Sequence, residues 1–369
     1  MTAPVLLDLP AVTVAEATGA TVLHDLDTID RPEWLGLRKS GLGGSDAAAI
    51  LGVSPWTSGY TLWLDKNQTD SPDDQSSLAM RRGTHLEPFI LTEAMNVDPD
   101  LTVYRAPYML AHPDHPHLRA NLDGLAQHVK RRTWGGVEAK NVNAFMAKHW
   151  ADGPPAYYEA QVGHYLACCP LIDWWAVVAD FGGDDLRVFY LDRESVPVET
   201  IVERELAWWQ RRMVDGVAPD PDGHAATTEA MKAYEPAVPE QAATVGLAEV
   251  QDVFARIAEA RAMGAMATEA EDAAKNELRL LMAEASVLTD EADRQWATWR
   301  QGKDKTETNW SAVAIELADQ LAETRDGESP DEVLAATASI FTTTKPGPRV
   351  LRVDAGLKNL TNDTKEQRQ

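Results

Sequence analysis

The spacing of apolar residues predicts several helices. Apolar positions three or four residues apart indicate a short helix around residues 34–37 and a longer one over residues 80–95. Residues 154–169 and 198–216 have the same helical period. Residues 247–286, which are rich in Ala and Glu, predict a long helix or a helical hairpin.

Alternating or continuously apolar runs predict strands. These runs are residues 101–108, 118–128, 135–141, 173–181 and 186–192. A Gly-Gly-Asp-Asp turn separates the last two and predicts a hairpin. Helices precede, interrupt and follow these strands, and this order predicts a mixed α/β (α+β) fold with a central sheet flanked by helices.

Changes in composition divide the chain into four regions. We predict an N-terminal extension over residues 1–30 and an α/β core over residues 31–225. Residues 226–245 are predicted to be a linker, because Pro, Gly, Ala and Thr are frequent around them. Residues 246–369 are predicted to form a C-terminal accessory region that is mostly helical and contains short strands.

The accessory region has its own pattern. Residues 294–301 and 349–355 predict its short strands, and residues 316–324 between them predict a helix. The tail over residues 360–369 is polar and is expected to fray.

The charge of the chain is uneven. Its 369 residues carry a net charge of −24, which argues against a sequence-independent coat on nucleic acid. Residues 31–150 nevertheless hold 13 basic and 13 acidic side chains, so a local basic groove can form there. The excess acid therefore lies mostly outside the segment that holds the candidate chemistry.

The N-terminal residues and the cysteines predict a cytoplasmic protein. Residues 1–12 lack the basic and apolar regions of a signal peptide, and no window reaches the roughly 18 apolar residues of a membrane span. Cys168 and Cys169 are adjacent, which suits two core thiols in a reducing compartment better than a disulfide or a zinc site.

One predicted strand carries charged residues. Glu138 and Lys140 are two apart in residues 135–141, so a strand places both on one face. Antiparallel pairing with the strand before it would bring Asp123 beside Glu138. Converging carboxylates repel unless a cation separates them, and hard oxygen ligands suit Mg²⁺ or Mn²⁺. The same spacing also fits a surface hairpin with a local ion pair.

A glycine turn precedes a predicted helix start. Ser45 is a candidate N-cap after Gly43 and Gly44, and free backbone N–H groups at such a start can bind phosphate. Arg38 lies seven residues upstream and could contact the same group. The alternative is a capped helix with no ligand.

Two predicted helices add polar residues. Glu87 lies in the helix over residues 80–95, where it fits a site acid or a favourable helix-start acid. Tyr158 and Gln161 share a helical stripe with His164 or Tyr165. This stripe fits either the lining of a site or the polar face of an amphipathic helix.

Five segments in series resemble one nuclease family. They are RKSGLGGSDAAAILGVSPWTS, MRRGTHLEP, ANLDGLA, GGVEAKN and PAYYEAQVGHYLA. Their order and approximate spacing resemble those of the YqaJ-type viral recombinase nucleases, which are similar to lambda exonuclease and belong to the PD-(D/E)xK superfamily. The likeness covers about residues 31–225 and implies a restriction-endonuclease-like core.

The resemblance implies a role for each matching residue. Asp123 and Glu138 match the metal-binding acids, with the Ala139 carbonyl and Glu87 as further ligands of Mg²⁺ or Mn²⁺. Lys140 matches the catalytic lysine. Gln161 matches the glutamine that orients the water or the strand.

Further positions match the DNA-binding part of the family. Arg38 and Ser45 match the pair that grips a 5′ phosphate, and Tyr158 and Tyr165 are expected to line the site. Basic residues are candidates for the DNA groove: Arg81, Arg82, Arg119, Lys130, Arg131, Arg132 and Lys148.

The family's activity implies a metal-dependent DNA exonuclease of phage or prophage recombination. Such an enzyme digests the 5′ strand of linear duplex DNA in the 5′→3′ direction and leaves a 3′ single strand for an annealing protein. Related enzymes form rings, often trimers, around DNA in the bacterial cytoplasm. Two alternatives stay open: an endonuclease or repair nuclease of the same superfamily, and an inactive scaffold that binds DNA ends.

Overall fold

The computed structural model describes residues 6–67, 77–234, 244, 246–313, 316–317, 342–345 and 349–352. The chain divides into two compact units, residues 1–241 and residues 242–369. Most of the helix predicted over residues 316–324 and the tail over residues 360–369 lie outside the described residues.

The first unit contains both helices and strands, with runs of consecutive helices and of consecutive strands. In the described residues, the α-helices of the first unit are α1 (Ala11–Thr18), α2 (Arg31–Lys39), α3 (Gly44–Ile50), α4 (Gly59–Asn67), α5 (Leu78–Val97), α6 (Ala156–Cys168), α7 (Val198–Trp209) and α8 (Ala225–Tyr234), and the second unit begins with α9 (Leu247–Met282). The strands of the first unit are β1 (Leu7–Asp8), β2 (Thr21–Asp25), β3 (Leu101–Arg105), β4 (Tyr108–Ala111), β5 (Arg119–Asn121), β6 (Gly124–His128), β7 (Gly135–Val142), β8 (Trp174–Phe181) and β9 (Leu186–Asp192).

A six-stranded mixed sheet forms the centre of the first unit. Its strand order is β1-β3-β6-β7-β8-β9. Strands β7 and β8 run parallel, and α6 is the helix of the crossover between them. The pairs β3–β6, β6–β7 and β8–β9 are antiparallel. The structure therefore confirms the predicted mixed sheet.

Helices cover both faces of this sheet. Ile90, Leu91 and Ala94 of α5 pack on one face, against β3, β6, β7 and β8. On the opposite face α6 and α7 pack with α1 and α3 in the larger core cluster. Strand β7 separates its side chains accordingly, because Val137 points to α5 and Glu138 points to α6.

Two predicted strands are each broken into two. The strand predicted over residues 101–108 ends at Arg105, and Pro107 separates β3 from β4 because proline cannot donate to a ladder. The strand predicted over residues 118–128 also breaks, since β5 pairs in a second sheet of order β2-β4-β5 and β6 pairs in the central sheet. Asp123 lies at this break rather than within a strand.

The regions predicted to flank the core contribute regular structure. Strand β1 pairs with β3, and β2 pairs with β4, so the first 25 residues add strands to both sheets. Helix α8 follows the segment Pro219–Gly223 and buries Thr227. The helix predicted over residues 198–216 forms as α7, followed by a π-helical turn at Gln210–Val214.

The second unit contains one long helix and small sheets. Helix α9 is continuous over 36 residues, so the long-helix alternative is correct and the hairpin alternative is wrong. The described strands are β10 (Val287–Thr289), β11 (Gln295–Gln301), β12 (Lys305–Thr308), β13 (Thr342–Lys345) and β14 (Arg349–Arg352). They pair in the orders β10-β11-β14 and β12-β13. Among the described helices of both units, none has the length and apolarity needed to cross a bilayer.

Candidate active site

Strands β6 and β7 bring the predicted acids together. Gly124 pairs with Val137, so Asp123 lies beside Glu138. The backbone N–H of Ala139 donates to Asp123 Oδ2 over 2.8 Å. The amine of Lys140 donates to Glu138 Oε1, as expected for side chains two apart on one face of a strand.

Helix α6 completes this group from above the sheet. Gln161 Nε2 donates to Glu138 Oε1 over 2.7 Å and to the Tyr165 hydroxyl over 2.9 Å. The Gln161 Oε1 atom accepts from Lys140 Nζ over 3.1 Å. Gln161 thus uses both ends of its amide to fix the acid and the amine.

The carboxylates are short of positive charge. Burial, followed by repulsion from Glu138 and Glu87, raises the pKa of Asp123 well above its ordinary value. Burial and then Glu138 also raise the pKa of Glu87. Glu138 Oε2 is buried and has no hydrogen-bond partner among the described residues. This oxygen and the repelling acids fit a divalent cation, which would take oxygen ligands and relieve the repulsion.

Lys140 is held as a cation. Burial alone would lower its pKa, but Glu138, Asp123 and the hydrogen bond to Glu138 outweigh that effect and raise it. The amine also lies 4.7 Å from the centroid of the Tyr158 ring, in a cation–π contact. In this arrangement Lys140 is therefore a proton donor that can orient an oxygen atom.

A cavity of about 180 Å³ adjoins the acidic group. Gln161 and Tyr165 lie in its lining, which also includes Arg38 and Ser45. Arg38 Nη2 donates to Ser45 Oγ over 3.1 Å. A guanidinium and a hydroxyl that face one cavity can together bind an anion.

The start of α3 differs from the prediction. The residue at the N-cap is Gly43, which has an extended conformation, and Ser45 is the second residue of the helix. Asp46 accepts from the Gly43 N–H over 2.9 Å, so this carboxylate satisfies the helix start. The Ser45 hydroxyl is consequently available to Arg38 instead of capping the helix. The cap prediction for Ser45 is wrong because the helix begins at Gly44, with Gly43 at the N-cap and the Asp46 carboxylate bonded to the Gly43 N–H.

A buried ion pair supports the end of α2. Lys66 Nζ lies 2.8 Å from Asp46 Oδ2 and donates to the Arg38 carbonyl over 3.0 Å. One amine therefore ties the start of α3 to the backbone that carries the Arg38 guanidinium. The Lys66 and Asp46 groups satisfy each other and leave the cavity to Arg38.

Two cavity residues, Trp34 and Asn121, were not identified as site residues from the sequence. Trp34 stacks below Arg38, with the guanidinium 5.5 Å from the indole centroid, and its spacing of four residues on α2 was the available signal. Asn121 lies two residues before Asp123 and lines the same cavity. Arg119, predicted for the groove, also lines it and donates to Ser40 Oγ over 2.8 Å.

A buried pair behind the cavity fixes the backbone of Arg119. His164 Nδ1 lies 2.7 Å from Glu205 Oε1, and its Nε2 lies 2.8 Å from the Arg119 carbonyl. Glu205 outweighs the burial that would otherwise lower the pKa of His164, which rises well above its ordinary value. The His164 imidazolium therefore donates from both nitrogens and joins α6, α7 and β5. His164 has this structural contact, whereas Tyr165 faces the cavity.

The other predicted basic residues lie on different surfaces. Arg81 and Arg82 are exposed near the start of α5, and Arg132 and Lys148 are exposed elsewhere in the unit. Lys130 pairs with Asp100, and Arg131 pairs with Asp192 and stacks on Trp174 and Tyr190.

A second acidic cluster lies at the other end of β6. We call Asp98, Asp100 and His128 the Asp98 cluster; their ligand atoms lie within 4.8 Å of one another. His128 Nδ1 accepts from the Lys130 N–H, so Nε2 carries the proton and faces Asp98. A metal-binding histidine usually donates from its second nitrogen, so this hydrogen bond argues against a cation here.

Comparisons with known proteins agree with the motifs. Residues 33–171 match the family described as YqaJ-like viral recombinase domain. The uncharacterized protein YqaJ of Bacillus subtilis (strain 168) is 31% identical over 217 residues, which are 58% of this chain and 66% of that protein, just under two thirds.

A solved structure of the alkaline exonuclease LHK-Exo from Laribacter hongkongensis is 18% identical to this chain in sequence, with a TM-score of 0.41. The match covers 50% of this chain and 93% of that chain. The structure of LHK-Exo in complex with dAMP is 19% identical in sequence, with a TM-score of 0.42, and the match again covers 50% of this chain and 93% of that chain. On the sequence match, residues 33–171 are similar to the YqaJ-like viral recombinase domain, and the chain is similar to YqaJ over 217 residues.

Proposed function

We propose that this protein is a metal-dependent deoxyribonuclease that digests the 5′ strand of linear duplex DNA from an end, in the 5′→3′ direction. Its product would be a 3′ single strand for an annealing protein in phage or prophage recombination, in the cytoplasm of a bacterial host. A ring of several copies around DNA is part of this proposal. The family match supports a role in recombination.

The main support for this proposal is that Gln161 belongs both to the acidic group and to the cavity of Arg38 and Ser45. Gln161 binds Glu138 and Lys140, and it also lines the cavity of Arg38 and Ser45. A phosphate held in the cavity would lie next to a phosphodiester at the acidic group. This separation of one held phosphate from one reacting phosphate favours removal of nucleotides from a phosphorylated end.

Each residue of the acidic group has a proposed task. Asp123, Glu138, Glu87 and the Ala139 carbonyl would hold Mg²⁺ or Mn²⁺, and the bound ion would stabilise negative charge on the phosphate. Lys140, protonated by its acidic neighbours, would donate to the attacking water or to a phosphate oxygen. Gln161 would keep the amine and Glu138 in register.

Digestion of linear and closed circular duplex tests the reaction class. With Mg²⁺, we expect loss of the linear form alone, and with EDTA we expect no loss of either form. Cutting of the circle would instead identify an endonuclease of the same superfamily. No cleavage of either form by the wild-type protein with Mg²⁺ or Mn²⁺ would leave a scaffold that binds DNA ends.

The end phosphate tests the polarity. We expect 5′-phosphorylated ends to be digested roughly 10- to 100-fold faster than 5′-hydroxyl ends, because hydrogen bonds to charged groups contribute about 1.5–3 kcal/mol. Arg38→Ala should remove this preference, whereas Arg31→Ala, on an exposed residue of the same helix, should keep it. Equal rates on both ends in the wild-type protein would refute the role of the cavity.

A further inference from the structure

An aromatic cluster adjoins Lys140. The Tyr158 ring that contacts the amine lies 4.5 Å from the Tyr157 ring, centroid to centroid. Trp56 lies 4.9 Å from Tyr157 and 6.4 Å from Tyr158. We call Trp56, Tyr157 and Tyr158 the aromatic ridge. A single ring thus separates the Trp56 indole from the amine of the candidate active site.

The outer end of the ridge is exposed. Trp56 is 62% exposed to solvent, although an indole gains free energy from burial. Tyr157 and Tyr158 are half-buried, and Tyr158 rests on the buried ring of Trp150 at 5.2 Å. The ridge is therefore anchored in the core at one end and open at the other.

The loop that carries Trp56 is fixed at its base. Ser54 Oγ accepts from the N–H groups of Trp56 and Thr57, over 3.2 and 3.1 Å. On the next turn the Ser58 hydroxyl lies 2.7 Å from the buried hydroxyl of Thr227. Trp56 therefore stands on an ordered turn.

Helix α8 and the residues before it hold this turn from behind. His224 Nδ1 accepts from the Ala226 N–H, so its Nε2 carries the proton and donates to the Ser54 carbonyl over 3.1 Å. Asp222 accepts from Thr227 and from the His224 N–H. A segment far along the chain thus fixes the position of an exposed indole.

We propose that the aromatic ridge stacks against nucleobases of single-stranded DNA next to the cleaved phosphodiester. This inference rests on the proposed nuclease function, because a strand with a phosphate at the acidic group must place its neighbouring bases on the surface around Lys140. Stacking suits a nuclease that acts on DNA of any sequence, since every base has a π-face. The bases of the DNA strand occupy the ridge, and the rings of Trp56 and Tyr157 make the stacking contacts with them.

The ridge has the chemistry of such a surface. The Trp56 indole on its fixed turn and the Tyr157 phenol on α6 lose little conformational entropy when a base stacks on them. Lys140 at the inner end provides the positive charge that the neighbouring phosphate requires. The competing occupant is a second copy of this chain that would cover Trp56, and sedimentation of Trp56→Ala distinguishes it from a DNA strand.

Binding of a short 5′-phosphorylated single strand tests the inference. We would measure fluorescence anisotropy in EDTA, which prevents metal-dependent cleavage, with normal nucleotides or with abasic sites at the first three positions. We expect the wild-type protein to bind the normal strand about tenfold more tightly than the abasic strand. Trp56→Ala should remove this preference and Trp56→Phe should largely keep it. Trp310→Ala is the matched control, because Trp310 is also 62% exposed but lies in the second unit.

The outcomes separate the inference from the proposed function. An unchanged preference for normal nucleotides in Trp56→Ala would overturn the stacking role, even in an enzyme that digests linear DNA. A change in oligomeric state of Trp56→Ala by sedimentation, without loss of base preference, would assign the ridge to a second copy and also overturn it. Absence of cleavage by the wild-type protein would refute the nuclease function but leave the measured base preference standing.

Discussion

The two ends of strand β6 carry acidic groups with opposite electrostatics. At its start, Asp123 meets Glu138 and Glu87, and the pKa values of Asp123 and Glu87 are raised. At its end, the Asp98 cluster has a carboxyl whose pKa is lowered, because hydrogen bonds and His128 outweigh the effect of burial. Both groups consist of residue types that can bind metals. Only the group at Asp123 has too little positive charge nearby to offset the repulsion between its carboxylates.

The difference lies in the neighbours of each carboxylate. Asp98 accepts from the Tyr190 hydroxyl over 2.6 Å and from the Asp100 N–H over 3.1 Å, and Asp100 lies 2.5 Å from Lys130. Glu138 instead has one buried oxygen without a partner among the described residues. Proximity of acids alone therefore does not identify a cation site, whereas repulsion together with an unsatisfied oxygen does.

Removal of the lysine at each end should give the largest contrast. Lys140→Ala should reduce DNA cleavage at least about 10³-fold, because a positioned proton donor typically contributes 10²–10⁴-fold to a rate. Lys130→Ala removes the exposed partner of Asp100 and should leave cleavage unchanged. Initial rates on linear duplex with Mg²⁺ measure both variants. Substantial turnover by Lys140→Ala would mean that the start of β6 is not the active site.

Neutralisation of one acid at each end should separate their affinities for metal. Asp123→Asn removes a proposed ligand, so we expect Mn²⁺ affinity measured by calorimetry to fall about 100-fold, the upper end of the 10–100-fold losses known for mutated supporting residues of metal sites. Asp98→Asn should leave Mn²⁺ binding at the Asp123 site unchanged. The reverse result would move the cation to the Asp98 cluster.

The sequence is sufficient to predict that the charged residues of β7 form one group. The period of two along a strand predicts that Glu138 and Lys140 share a face, and Gln161 reaches them from the helix predicted for residues 154–169. Side-chain period and element order are local properties, so they can be read without knowing the packing.

Other parts of the site depend on contacts between distant residues. The segment around Asp123 has an uninterrupted strand pattern, but β5 and β6 join different sheets, and only tertiary packing determines that break. Asp46 has the features of a helix-start acid in the sequence, yet its partner Lys66 lies on α4. The His164–Glu205 pair joins residues of two helices that no motif connects.

Acid should affect the two ends in opposite directions in the metal-free protein. The folded-state pKa of Asp123 is raised, so this carboxyl destabilises the fold increasingly as pH rises from about 3.9, its unfolded value, through the raised value. The pKa of Asp98 is lowered, so its contribution is complete above its unfolded value and is lost as pH falls towards the lowered value.

Thermal or urea unfolding in EDTA checks these signs. Asp123→Asn should gain stability over the wild type as pH rises from 4 to 8, by about 1.4 kcal/mol for each unit by which the pKa is raised. Asp98→Asn should be less stable than the wild type at pH 7, with a deficit that shrinks below about pH 4. Parallel curves for the two variants would show that the two ends do not differ in charge balance.

A matched pair of tyrosine substitutions should give the smallest and most specific effects. Tyr190→Phe removes the hydroxyl that donates to Asp98, so stability should fall by about 1 kcal/mol while cleavage is unchanged. Tyr165→Phe removes the hydroxyl that accepts from Gln161, and this amide then loses one of the contacts that hold it against Glu138 and Lys140.

Because Gln161 keeps its other hydrogen bonds in Tyr165→Phe, the turnover number kcat should fall only about three- to tenfold, which corresponds to roughly 1 kcal/mol. The substitution leaves the proposed metal ligands in place, so Mn²⁺ affinity should stay at the wild-type value. Single-turnover rates on saturating linear duplex, beside urea unfolding of both variants, measure the two effects. A loss of kcat in Tyr190→Phe as large as in Tyr165→Phe would indicate that both ends of β6 act in catalysis and would remove the contrast between them.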